Sequence, residues 1–194
     1  MLDTPSRNAI HSVMALFIGR RDALAAFDMS VEGFWHSFRA FLYVLPFFAV
    51  SAAVEHGMLL ANPFTSETPA AAFIAARLVD YTLDWAMMPA LLALFARPLD
   101  ITRTYVPYII VRNWAMIVMA APQALISLLL GTGIVGFDTA TLLSLIVLVA
   151  MVMFHYRIIR LTMQRSAAFS AGLVASDIVL SLVLSEIIDR LFGL

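Results

Sequence analysis

Residues 139–155 read TATLLSLIVLVAMVMFH, seventeen residues without one Asp, Glu, Lys or Arg. Such a run has no polar face to turn to water, so it predicts a helix in the hydrocarbon of a bilayer, where about 17–25 residues make one crossing. Working outward, comparable apolar stretches recur at 104–130, 70–96 and 38–60 upstream and at 167–188 downstream. With the fourth span taken as 139–156, the chain is expected to be an all-α integral membrane bundle of about five transmembrane helices over 38–194. Its 194 residues are 62% hydrophobic and 13% charged. Soluble domains carry about 25% charged residues, and one water-exposed fold of this length cannot hide so much apolar surface. Mean hydropathy, +0.93, agrees.

Residues 1–37 form a different kind of segment. Thr4 suits the N-cap of a helix and Pro5 its first position, and Ile10, Val13, Met14 and Phe17 follow at helical spacing. Gly19 fits a stop, and Ser30 a second N-cap before Phe34, Trp35 and Phe38. An amphipathic cytoplasmic helix is expected here, lying on the membrane face or packed on the end of the bundle. No cleavable leader is expected, because the apolar stretch 13–18 is short and Arg20 and Arg21 follow it. Pro46 should bend the first span, and Asn62, Pro63, Thr65, Ser66 and Pro69 mark the loop after it.

Arginine placement orients the spans. Arg7, Arg20, Arg21, Arg39, Arg97, Arg103, Arg157, Arg160 and Arg165 all fall on one side, and the opposite loops hold none. The positive-inside rule puts the nine in the cytoplasm, the N-terminus with them, and the C-terminus across the membrane. The absence of Lys fits GC-rich coding and, with it, a bacterial inner membrane. Net charge is −1, which gives no field for nucleic acid. There is no Cys, hence no disulfide, thiolate nucleophile or Cys-ligated metal.

No catalytic constellation emerges. Gly131, Gly133 and Gly136 match G-x-G-x-x-G but join two membrane spans instead of opening a soluble βαβ unit, so they read as a tight turn. Asp84 and Asp177 lack the motifs of an intramembrane aspartyl protease. His11, His36, His56 and His155 show no metal-ligand spacing and read as interfacial. No nucleophile elbow, metal site or cofactor is implied.

The informative residues are the polar ones inside the spans: Arg77, Asp80, Asp84, Arg112, Asn113, Asp177 and Glu186. A charge at mid-bilayer costs about 2.5–3.5 kcal/mol, so each should face the bundle interior and find a partner. Arg77, Asp80 and Asp84 share a face by their i, i+3, i+7 spacing. Counting ~1.5 Å per residue inward predicts Arg112 opposite Asp177, with Asp84 competing, and Arg77 near Glu186. Ala168, Gly172 and Ser176 form a small-residue ridge suited to close helix packing, within the chain or between chains.

The plan of a cytoplasmic N-terminal segment, five spans and very short loops resembles the Yip-domain family of small membrane proteins. The family's Asp-Leu-Tyr-Gly-Pro type motif is absent, and Asp80-Tyr81 does not replace it, so no functional residue carries over. The resemblance implies a non-enzymatic role in membrane organisation or trafficking. The short loops, the small-residue ridge, the amphipathic arm and the lack of a catalytic constellation point first to a non-enzymatic protein that organises or binds other membrane components. The expected partners are the lipid bilayer and other membrane proteins or further copies of the chain. The intramembrane set Asp84, Arg112 and Asp177 implies the alternative, a small transporter or permease component.

Overall fold

The computed structural model describes residues 3–61 and 69–194. Residues 62, 63, 65 and 66 of the expected first loop lie outside the described residues. Seven α-helices make the fold: α1 (Thr4–Phe17), α2 (Val31–Ser37), α3 (Ala40–Ala61), α4 (Ala70–Phe95), α5 (Thr102–Gly131), α6 (Phe137–Met163) and α7 (Ala167–Phe192). A 3-10 turn, Arg21–Ala26, links α1 to α2. No strand occurs among the described residues.

α5 is the central helix. Residues 108–115 are buried without a break, because α3, α6, α1 and α2 all pack around it. α7 lies at the periphery, against α4 and α6. Its inward stripe is Ser170, Val174, Leu184 and Ile188, on one face by steps of three and four. The outward faces are as apolar as the inward ones. On α6, Leu142, Leu145, Ile146, Val149 and Met153 are each more than half exposed. A helix of a soluble protein would be polar there. Four helical segments, 31–61, 102–131, 137–163 and 167–192, are long and apolar enough to cross a membrane. That is the make-up of a multi-pass membrane protein. α4, which carries Arg77, Asp80 and Asp84, is not among the four.

Several boundaries differ from expectation. The cap of α1 is Asp3, not Thr4: Asp3 Oδ1 accepts from the Ser6 N–H at 2.9 Å, the bond an N-cap carboxylate makes best. Ser30 does cap α2, accepting from the Gly33 N–H at 3.1 Å. The fourth long helix runs to Met163, since Tyr156, Arg157 and Arg160 continue the helix beyond its apolar run, and Gln164 ends it in a left-handed turn. α7 likewise continues to Phe192. α1 turns Ala9, Val13 and Leu16 into the protein against α5, which favours the bundle-packed of the two alternatives for this helix. Phe17 meets Phe154 edge-on, with centroids 5.1 Å apart.

The small-residue ridge does not pack within the chain. Ala168, Gly172 and Ser176 are exposed, and a Cβ on Gly172 would meet nothing within 4 Å. They lie on a different face of α7 from the buried stripe, and that stripe makes the in-chain contact.

Candidate functional site in the bundle interior

α5 carries Tyr108 and Arg112 one turn apart, on the same face. α6 brings His155 to that face, and α7 brings Asp177. The Tyr108 hydroxyl and His155 Nε2 are 3.0 Å apart, and His155 Nδ1 is 3.4 Å from Asp177 Oδ2. With Nδ1 protonated, the imidazole faces the carboxylate and accepts at Nε2 from the tyrosine. The other carboxylate oxygen, Oδ1, is 3.9 Å from Arg112 Nη2. Asp177 is thus held between two basic side chains from two other helices.

Arg112 is 3% exposed, yet its Nε and Nη1 have no hydrogen-bond partner among the described residues. A buried donor left in this state costs about 1–3 kcal/mol, more for a charged group. Such groups are rare in native proteins and call for an explanation. Beside them lies a cavity of about 300 Å³, lined by Asp84, Arg112, His155, Asp177 and Ser181 and walled by Met116, Met119 and Met151 among others. That volume is at the small end of ligand pockets, about 300–1,000 Å³.

The remaining polar residues of the spans are placed as follows. Asp84 faces the same cavity as Arg112 and Asp177. Asp80 Oδ2 accepts from the Ser185 hydroxyl of α7 at 3.3 Å. Arg77 donates through Nε and Nη2 to Glu55 of α3, at 3.1 and 2.5 Å, and through Nη1 to Asp189 of α7, at 2.6 Å. It therefore clamps three helices. Glu186, the expected partner, instead pairs with Arg190 one turn on, in an exposed contact of 2.6 Å. The reason is register: Glu186 is on the outward side of α7, and Asp189, three residues on, faces Arg77. Asn113, next to Arg112, points elsewhere, donating through Nδ2 to Ser37 Oγ at 3.0 Å.

Sequence reasoning missed Tyr108, and it placed His155 at an interface, whereas His155 is buried beside the cavity. The i, i+4 spacing of Tyr108 and Arg112 was the available signal. No group of three or more His, Cys, Asp or Glu that would hold a metal occurs among the described residues. Comparisons with family models, with curated proteins and with solved structures give no match to this chain, so its function has to be argued from the site itself.

Proposed function

We propose that the chain is a five-span inner-membrane protein with its N-terminus in the cytoplasm, and that its bundle binds a small polar solute, as a transporter or permease component does. The observation that carries this reading is Arg112, buried beside a cavity with two donor nitrogens unpartnered. Intramembrane ionisable residues mark solute and ion paths. Arg112 offers donors to an anionic or carbonyl group of the solute. Asp84, on the same cavity, offers an acceptor to an amine or hydroxyl. A solute bearing both kinds of group, such as an amino acid, satisfies the two together. Asp177, already engaged by His155, holds Arg112 in place.

The absence of native Cys gives a clean test. Ser181→Cys, on the cavity wall, should react with a membrane-impermeant thiol reagent in vesicles, and a bound amino acid should slow the reaction. Asp84→Asn should remove that protection and any amino-acid flux into proteoliposomes. A Cys at 181 that stays inert in vesicles of both orientations means a dry cavity and sinks the transport reading.

A second reading has its own support. The outward-facing ridge of Ala168, Gly172 and Ser176 leaves room for another helix to approach closely. That suits a non-enzymatic protein that organises other membrane components, as the Yip-domain resemblance implies. Cross-linking from Gly172→Cys in native membranes tests it: a partner captured there, with no solute protection at position 181, favours this role.

A further inference from the structure

A second concavity, of about 710 Å³, runs between α6 and α7 toward the arginine-rich end of the bundle. Its apolar part includes Met153, Leu161, Ala171, Ala175 and Ile178, and at its end stand Arg21, Arg157 and Arg160. No carboxylate lines it. Of the other arginines on this side, Arg20 pairs with Asp22, Arg39 with Asp3 and Arg165 with Asp100, while Arg7, Arg97 and Arg103 make no ion pair among the described residues. Among the described residues, Arg21, Arg157 and Arg160 pair with no carboxylate, and Arg160 gives Nη1 to the Arg165 carbonyl oxygen, leaving its other nitrogens for a ligand. The 3-10 turn after α1 brings Arg21 to this end. Gly19 closes the approach, with its Cβ position 3.5 Å from Arg157 Nη2.

We propose that this furrow holds an anionic phospholipid of the cytoplasmic leaflet. Its phosphate sits among the three guanidinium groups, and an acyl chain lies along the apolar groove between α6 and α7. Charge complementarity selects the occupant: three positive groups converge at one end, and nothing negative faces them. Basic pockets between membrane helices on the cytoplasmic side recognise anionic headgroups in this way, and the guanidinium fork matches phosphate oxygens. From Arg160 to Val152 the groove descends ~12 Å, which is acyl-chain depth below a headgroup. The inference rests on the membrane orientation proposed above and not on the solute cavity, so the two can fail separately.

Native mass spectrometry of the detergent-purified protein, with phosphatidylglycerol and phosphatidylcholine added in equal amounts, tests it. Retained phosphatidylglycerol should exceed phosphatidylcholine, with each arginine contributing about fivefold. R157Q and R160Q together should bring the two lipids to parity. Ala175→Trp, which fills the groove, should remove both adducts. Wild-type protein alone gives two further readouts. High salt should weaken the preference, and millimolar inorganic phosphate should not displace the lipid, because the chain anchors it. Equal retention of the two lipids by the wild type overturns the proposal. So does a preference that survives R157Q/R160Q, displacement by inorganic phosphate, or a dimer that excludes lipid from the groove. Solute protection at position 181 that persists after loss of the lipid preference identifies the failure as that of the lipid site alone.

Discussion

Arg112 Nη2 stands 3.9 Å from Asp177 Oδ1, within reach of Coulomb attraction but beyond a hydrogen bond. The pair joins the central helix to the peripheral α7 and leaves most of the guanidinium available. Arg112→Leu should strand Asp177 with only His155 beside it, and Asp177→Leu should strand a buried guanidinium. Each single variant should lose about 3 kcal/mol in detergent unfolding, and the double variant should regain about 1 kcal/mol or more of the summed loss. A double-mutant cycle with no coupling refutes the pair.

Arg77 is a structural clamp. Arg77→Leu leaves Glu55 and Asp189 facing each other across α4 without their cation. It should cost about 2–3 kcal/mol, at the low end for buried pairs because Glu55 is partly exposed. Glu186→Gln should cost under about 0.5 kcal/mol, since it breaks an exposed i, i+4 contact. Equal losses in thermal melts would restore Glu186 as the partner.

Glycines separate close packing from open surface. A Cβ at Gly33 would lie 2.1 Å from the Asp28 carbonyl oxygen, and at Gly131 2.6 Å from Val54 Cγ2. Gly33→Ala should therefore lower the melting temperature and loosen the start of α2. Gly172→Leu should leave the melt of the monomer unchanged. A large loss for Gly172→Leu in a strictly monomeric sample would show that the ridge packs inside the chain.

The attachment of α1 should depend on pH. Hydrogen bonds from Ser6, with a contribution from nearby His36, hold the Asp3 carboxyl well below the usual carboxylate range. Asp3 also pairs with Arg39 of the α2–α3 bend, at 2.5 Å. Because the folded-state value is depressed, its contribution is complete above about pH 4 and is lost as pH falls below that. Hydrogen exchange should show α1 loosening in acid, and Asp3→Asn should show the looser state at every pH. An acid response unchanged in Asp3→Asn would assign it to another group.

The proposed five-span topology predicts that reporter fusions after Asn62 and Gly133 read as non-cytoplasmic, and those after Asp100 and Arg165 as cytoplasmic. A fusion after Asp100 that reads outside means α4 does not cross.

The long helices were legible because an apolar run has one physical meaning along the chain. Their ends were not. Arg157 and Arg160 look like loop, yet a helix with bundle neighbours continues through them to Met163. Depth counting brought Arg112 and Asp177 to one level, since helical rise is uniform. The same count could not choose between Glu186 and Asp189, which differ by less than one turn and face different sides of α7. Nor could it show Glu55, on a helix whose rotation the sequence does not specify. The face of α7 that carries the ridge was beyond reach for the same reason: composition says a surface permits close approach, and only the fold says what approaches it.

The clamp at Arg77 also bears on the order of assembly. α4 is absent from the helices apolar enough to cross a membrane on composition. Of the groups that satisfy its polar face, Asp189 for Arg77 and Ser185 for Asp80 belong to α7, while Glu55, also on Arg77, belongs to α3. α7 leaves the ribosome well after α4. During synthesis α4 therefore emerges with Glu55 of α3 as Arg77's partner but without the α7 groups, and on the proposed five-span topology its crossing should be completed when α7 arrives. α7 acts as the keystone of a segment made about a hundred residues earlier, and a chain stopped after α6 should leave α4 less firmly held in the hydrocarbon, more open to protease.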